Sequence, residues 1–292
     1  MDDQEWLARK FEESRAHLRA VAYRMLGSFG EADDAVQEAW IRLNRSDAKS
    51  IQNLGGWLTT VVSRVCLDIL RSHKSRREEP YHELLPDLVL GREDRNDPEQ
   101  EALIADSVGV ALLVVLGTLT PPERLAFVLH DMFAVSFDEI ASIARCTPVA
   151  ARQLASRARR KVRGTAPAPD ADRGRQRKVV NAFLDAVRQG DFETLLQVLD
   201  PDVVLHSDQV SGTLKKIRGA RTVAQQALLF SRLAEYVQPV LVNGAAGIIS
   251  WLPDGRPFSV MAFTIWKDKI VEIDVLANSA RLSKLDPTVV KG

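Results

Sequence analysis

The residues best suited to chemistry stand between Arg145 and Arg163. There Arg152, Arg157, Arg159, Arg160 and Lys161 accumulate without one acidic residue. Cationic side chains crowded in this way bind phosphate oxygens and release counterions. Gln153 suits an adenine edge, an exposed Arg suits a guanine edge, and most of the arginines suit phosphates. A second set lies nearer the start: Asp33, Asp34, Gln37 and Glu38 form an acidic, polar row, and Arg64, Arg71, Lys74, Arg76 and Arg77 form a basic one. A third set holds the acid/base candidates His206, Asp208, Glu272 and Asp274. Neither a catalytic constellation, nor a cofactor, nor a bound metal is expected.

The basic set needs a helix that turns one side inward. In FDEIASIARCTPVAARQLASRARRKVR, from Phe137 to Arg163, the residues Phe137, Ile140, Ala141 and Ala144 bury a short first helix. Arg145 and Cys146 make a tight turn, Thr147 is an N-cap, and Pro148 occupies the first helical position, where its missing N–H costs nothing. Ala151, Leu154, Ala155, Ala158 and Val162 form the inward stripe of the second helix. Val149, Gln153, Ser156 and Arg160 form one outward row. A solvated basic helix in an ordinary bundle would also carry such charge. Cap, turn, small-residue packing and one-sided charge together favour a helix-turn-helix that lies along a major groove.

The 292 residues allow two or three domains, and 39 basic against 39 acidic residues leave no net charge to select a partner. Cys66 and Cys146 each sit in an apolar helical pattern and read as core residues of a chain in a reducing compartment. Asp2, Asp3 and Glu5 are the reverse of a signal-peptide start, and Val108 to Leu116 falls far short of the ~20 apolar residues of a membrane span. A cytoplasmic protein with no membrane partner is expected. Helical periodicity runs from Trp6 to about His73, gives way to a charged, Pro- and Asp-containing stretch, and returns from Ala102 to Arg163. GTAPAPDADRG, Gly164 to Gly174, marks a second linker.

Beyond it the chain changes class. Arg175 to Gln189 and Phe192 to Leu199 read as helices; Val203 to Ser207, Val237 to Trp251, Pro257 to Trp266 and Ile270 to Ala277 read as strands. Pro253-Asp254-Gly255 and Lys267-Asp268-Lys269 read as turns. Helices followed by antiparallel strands indicate an α+β fold. Glu272 and Asp274 alternate with Val271, Ile273 and Val275 and so share one sheet face. The alternation leaves open which face is concave. A solvated face, a structural His206, and core positions for Trp251 and Trp266 are the expectation.

LTPPERLAFVLHDMF and the ASRARR run make the basic helix and its approach resemble the region-four promoter-binding domain of extracytoplasmic-function sigma factors. That resemblance implies contact with an upstream, −35 promoter element through Thr147, Val149, Arg152, Gln153, Ser156, Arg157 and Arg160. YRMLGSFGEADDAVQEAWIRL, Tyr23 to Leu43, resembles region two of the same family. It implies that Asp33, Asp34, Gln37 and Glu38 dock on the clamp of the large subunit of core RNA polymerase. GGWLTTVVSRVCLDILRSHKSRR, Gly55 to Arg77, completes that signature, with Leu58, Val61, Val62, Val65 and Ile69 inward. It implies melting of the −10 element with the loop Asn44 to Leu54, Arg64 and Arg71 supplying phosphate contacts. Trp57 opens this helix and reads as core.

The C-terminal extension resembles the SnoaL-like, NTF2-type cone found in the SigJ-like group. Three of that group's motifs are matched loosely. A WLPEP-type motif appears as LLPDL, Leu84 to Leu88, containing Leu85, Pro86 and Asp87. A DGGG-type loop appears between Ser207 and Gly212 and keeps Asp208. An NPDKL-type motif appears as Asn278 to Leu282 and keeps Asn278 and Leu282. The resemblance implies interdomain regulation through these residues.

The expected architecture is therefore multidomain: two all-α sigma domains, one a helical bundle and one a helix-turn-helix, and an α+β SnoaL-like cone. The boundaries are 5–75, a linker 76–104, 105–163, a linker 164–174, and 175–286. The expected function is promoter-directed transcription initiation with core RNA polymerase and promoter DNA as partners. The cone would tune activity in cis and is a place for a small-molecule ligand. An enzyme carrying a DNA-binding arm and an operator-binding regulator that needs no polymerase are the alternatives.

Overall fold

The computed structural model describes residues 3–46, 51–76, 85–91, 109–165, 172–208, 214–231 and 236–285. The chain divides into two units, Met1–Tyr81 with Val115–Ala166, and His82–Val114 with Pro167–Gly292.

The first unit is helical. Helix α1 (Asp3–Leu26), α2 (Phe29–Arg45) and α3 (Leu54–Arg76) pack on one another. Leu18, Val21, Ala22 and Met25 of α1 meet Ala32, Ala35, Val36, Ala39 and Leu43 of α2, all buried at helical spacing. In α3, Leu58, Val61, Val62 and Val65 are buried as the sequence predicts, but Ile69 is only half-buried. Cys66 and Leu70 complete the inward face instead, one position along the helix turn. Burial pushes the Cys66 thiol well above its usual range, which makes it an inert core group. Trp57 is half-buried.

After α4 (Val110–Gly117), α5 (Pro121–Phe127) begins at a capping box in which the Thr120 N–H and hydroxyl both donate to Glu123 Oε2, at 3.0 and 2.8 Å. It runs on into a wider π turn, Val128–Met132. Helix α6 (Phe137–Ala144) is capped by Ser136, which exchanges bonds with Glu139, and ends at Arg145 in the left-handed conformation (φ 58°). Thr147 Oγ1 then accepts from Ala150 N–H and starts α7 (Pro148–Thr165). Ala151, Ala155 and Ala158 are fully buried where α7 crosses α5 and α6, and small side chains are what permit that approach.

The second unit is built on a seven-stranded sheet, β1 (Leu90–Gly91), β2 (Leu199–Asp208), β3 (Leu214–Arg218), β4 (Val237–Val242), β5 (Ala245–Trp251), β6 (Pro257–Trp266) and β7 (Lys269–Leu276). Their spatial order is β1-β4-β5-β6-β7-β2-β3, antiparallel except for the parallel pair β2–β7. Helices α8 (Arg173–Gln189), α9 (Phe192–Val198) and α10 (Ala220–Leu228) contribute to one core, with Phe183, Leu195, Val223, Ile248, Phe263 and Ile273 at its heart. On the opposite sheet face a second core joins Val240, Val242, Ile249, Trp251, Val260 and Leu276 to Leu85, Leu88 and Leu90 of the first linker. A last short helix, α11 (Ser279–Leu282), adds Leu282. This is the α+β cone the sequence predicts, with a further strand supplied by the linker.

Three details differ from expectation. Val237 to Trp251 is not one strand but a hairpin, because Asn243 and Gly244 both take positive φ (48° and 78°) in a two-residue turn. Strands β1 and β3 go beyond the sequence reading, β1 being two residues long and β3, LKKIR, lacking alternation. Trp251 is core, donating from Nε1 to Gln238 Oε1, but Trp266 is 41% exposed at the end of β6.

Gly247 sits in β5 where a Cβ would lie 2.4 Å from Val242 Cγ2 and 2.7 Å from the Met261 carbonyl oxygen. The second neighbour is backbone and cannot rotate away. Gly247→Ala is expected to cost about 2 kcal/mol of stability in the second unit, read as a lowered urea midpoint for its unfolding.

Candidate functional site

In the first unit every sequence-predicted groove residue lies on α7 or its cap. Thr147, Val149, Arg152, Gln153, Ser156, Arg157 and Arg160 are all exposed, and Val149, Gln153, Ser156 and Arg160 follow one another along a single row. Two other cations near them have partners. Arg159 pairs with Asp131 at 2.6 Å and Lys161 with Glu123 at 2.8 Å, so both anchor α7 to α5 and the π turn that continues it. The Arg152 guanidinium lies over the Phe137 ring. Thus the outward row stays clear while its flanks are braced.

The acidic row on α2 is less free than its sequence suggests. Asp34 and Gln37 are exposed, but Asp33 pairs with Arg19 of α1 at 2.8 Å and Glu38 with Arg42 at 2.8 Å. On α3, Arg71 is exposed and 3.7 Å from Asp68. Arg64 reaches across to α6, donating to the Ser142 carbonyl and hydroxyl oxygens at 3.3 and 3.4 Å. Arg124 of α5 is buried and donates from Nε to the Arg24 carbonyl; burial lowers its pKa to about 10. The side chains of Lys74, Arg76 and Arg77 and part of the loop Asn44 to Leu54 lie outside the described residues.

In the second unit the motif residues converge. Arg281 donates from Nη1 to Asp208 Oδ2 at 2.6 Å and from Nη2 to Asp87 Oδ1 at 3.2 Å, so one guanidinium joins the linker to the end of β2. Asn278 caps α11 by accepting from Arg281 N–H, which sets that side chain's origin. Leu85 and Leu88 flank Pro86 and Asp87 and are buried beside Leu282. Val89 N–H donates to Asn243 Oδ1 at 2.7 Å, and Asn243 N–H returns a bond to the Val89 carbonyl at 2.8 Å. Leu90 and Gly91 then pair with Val242 and Leu241. Leu84 and residues 209–212 of the DGGG-type loop lie outside the described residues.

Sequence reasoning missed Arg281 and Asn243. Arg281 stands where the NPDKL-type motif has its basic residue, and an Asn-Gly pair inside a long β run signals a turn.

The acid/base candidates correct the sequence expectation. His206, Glu272 and Asp274 are not solvated; all are buried. Nor do they line the cavity, which has a volume of about 210 Å³ and is walled by Leu205, Ser207, Ile273 and Val275 from the same two strands. Alternation therefore puts the three polar residues on the opposite sheet face. His206 Nδ1 lies 3.1 Å from Asp274 Oδ1 and 3.0 Å from Glu272 Oε1. Burial lowers the basicity of His206, but hydrogen bonds to Asp274 and Glu272 outweigh it and raise the pKa to about 9. Burial raises Asp274 to about 6 against the pull of His206.

The description "Sigma-70 region 2" matches residues 11–76, and "Sigma-70, region 4" matches residues 109–162. The probable ECF RNA polymerase sigma factor SigI of Mycobacterium tuberculosis is 35% identical over 277 residues, 93% of each chain. The ECF RNA polymerase sigma factor SigJ of the same organism is 39% identical over 247 residues, 82% of this chain and 79% of that one. The crystal structure of M. tuberculosis SigJ superposes with a TM-score of 0.76 at 34% identity, covering 95% of this chain and 99% of that one. The chain belongs to the extracytoplasmic-function sigma factors of RNA polymerase. Within them it falls with the SigJ-like group that carries a SnoaL-like cone. It is a transcription initiation factor.

Asp208 is fully buried and Asp87 is 38% exposed. Arg281→Ala leaves the Asp208 carboxylate buried without its counter-ion and is expected to cost about 3 kcal/mol. Asp87→Ala removes the solvent-screened limb and should cost under about 1 kcal/mol. Thermal unfolding of both variants checks the order.

Proposed function

We propose that this sigma factor reads a −35 element with α7 and a −10 element with α3, and that the linker held on its cone sets how readily it does so. The observation that carries the reading is the docked linker. Region two and region four are joined by a segment whose Leu85, Asp87, Val89 and Leu90 are tied to the cone through Asp208, Arg281 and Asn243. A joint fixed at one end limits the separation its two arms can reach. In this reading Leu85, Pro86, Asp87, Asp208, Asn278 and Leu282 are the regulatory set.

The DNA roles follow from exposure and charge. Gln153 and Arg160 face base edges; Arg157 and Arg152 face phosphates, with Thr147, Val149 and Ser156 at the groove floor and wall. Arg64 and Arg71 contact the −10 strand. Since Arg64 is bonded to Ser142, it leaves that bond when it reaches the strand. Asp33, Asp34, Gln37 and Glu38 face the polymerase clamp. The domain boundaries at 75, 105, 163 and 175 separate these tasks, and the partners place the protein in the cytoplasm; no described helix is long and apolar enough to cross a membrane.

The cone serves binding rather than catalysis. Of its acid/base groups, His206, Glu272 and Asp274 face away from the cavity, and among the described residues Lys215 is the one titratable side chain in its lining. Its apolar wall and volume suit a small ring-containing ligand.

In vitro transcription with core polymerase tests the reading, comparing the full chain, a chain ending at Arg173, and Asp87→Arg. Both altered chains should shift promoter-dependent output at least threefold in the same direction; unchanged output on every promoter would remove the regulatory claim. Arg157→Ala should weaken promoter binding evenly across sequences and lower the slope of log K against log salt by about 1. Gln153→Ala should instead relax preference at one base pair of the −35 element, seen in a set of point-substituted promoters.

A further inference from the structure

We infer that His206, Glu272 and Asp274 form a binding site for one divalent first-row transition-metal ion, with Zn²⁺ as the reference ion. The three residues come from adjacent parallel strands, His206 of β2 directly opposite Asp274 of β7 and Glu272 two residues earlier on the same face. Their nearest ligand atoms all lie within 4.8 Å of one another. The separations of 3.0 and 3.1 Å from His206 Nδ1 to the two carboxylate oxygens are close to the roughly 3.3 Å between ligands of a tetrahedral Zn²⁺ held at about 2.0 Å.

Two observations separate this from an ordinary buried ion pair. One ring N–H at Nδ1 faces two carboxylate oxygens at nearly equal distance, so a single hydrogen serves two acceptors. The second is Asp274 Oδ2, which is buried and has no hydrogen-bond partner on a side chain only 1% exposed. An orphaned carboxylate oxygen at that depth is costly, and a cation bound to its carboxylate relieves the cost. Charge agrees: once the ring proton is displaced, a neutral imidazole and two carboxylates carry −2, which a divalent ion cancels. Mixed nitrogen and oxygen donors favour Zn²⁺, Mn²⁺ or Fe²⁺ over Mg²⁺ or Ca²⁺, which take oxygen sets.

The position gives such an ion a consequence. His206 lies two residues before Asp208 on the same face of β2, and Asp274 lies on the strand that leads into Asn278 and Arg281. A metal bridging β2 and β7 ties together the two strands that present the linker clamp. This last step rests on the regulatory reading above; metal binding itself does not.

The full chain, stripped with a chelator and dialysed, is titrated with Zn²⁺ against a chromophoric indicator, and bound metal is counted by elemental analysis. One equivalent is expected, with a rise in Tm. Glu272→Gln and His206→Asn should each weaken binding at least tenfold and abolish the rise in Tm, while metal-free circular dichroism confirms that they fold. His73→Asn, at the half-buried pair with Glu31, is the control and should bind as the parent does. Failure of the parent to bind Zn²⁺ or Mn²⁺, undiminished binding by Glu272→Gln, or equal loss in the control would each overturn the site. Stoichiometric binding that leaves transcription unchanged would keep the site and sink its link to the clamp.

Discussion

One guanidinium bridges two carboxylates, one on the cone and one on the linker docked against it. Arg281 meets a carboxylate with no solvent exposure, Asp208, and a partly exposed one, Asp87. The inner bond is obligatory, since a buried charge without its partner is among the most destabilising features a fold can hold. The outer bond is optional in energy. That asymmetry lets the linker be attached to a firm post without the post depending on the linker. Asn278 and the Asn243 turn are arranged around it, one fixing where the arginine starts and the other taking the backbone of Val89.

The first unit shows a related economy of charge. Its recognition helix is basic, yet Arg159 and Lys161 are bound to Asp131 and Glu123, which leaves the outward row with the exposed Arg152 and Arg157 for a ligand. Glu123 closes the capping box of α5 and receives Lys161 as well. Local helix capping and the docking of the DNA-reading helix therefore share one side chain.

Much of this was legible in the sequence. The alanine stripe and the Thr147–Pro148 start defined the helix-turn-helix because both signals are local, and the two sigma signatures defined the order of domains. Long-range pairing was not legible. Nothing near Arg281 in sequence points to Asp87, and β1 is too short to alternate. The acid/base residues show a different limit. Alternation told correctly that Glu272 and Asp274 share a face, but which face is sheltered depends on what covers the sheet, and a solvated face was the wrong choice. Trp266 fails for the converse reason, lying at a strand end where cover runs out.

Strands β2 and β7 present oily side chains, Leu205, Ile273 and Val275, to the cavity and His206, Glu272 and Asp274 to the reverse side. A slip of one residue would bring the charged trio into the greasy chamber and expel the oily set, so this pair of strands has a single workable alignment. The same backbone is therefore a thin partition with two unlike rooms. Whatever occupies one room presses on a wall that the other room shares.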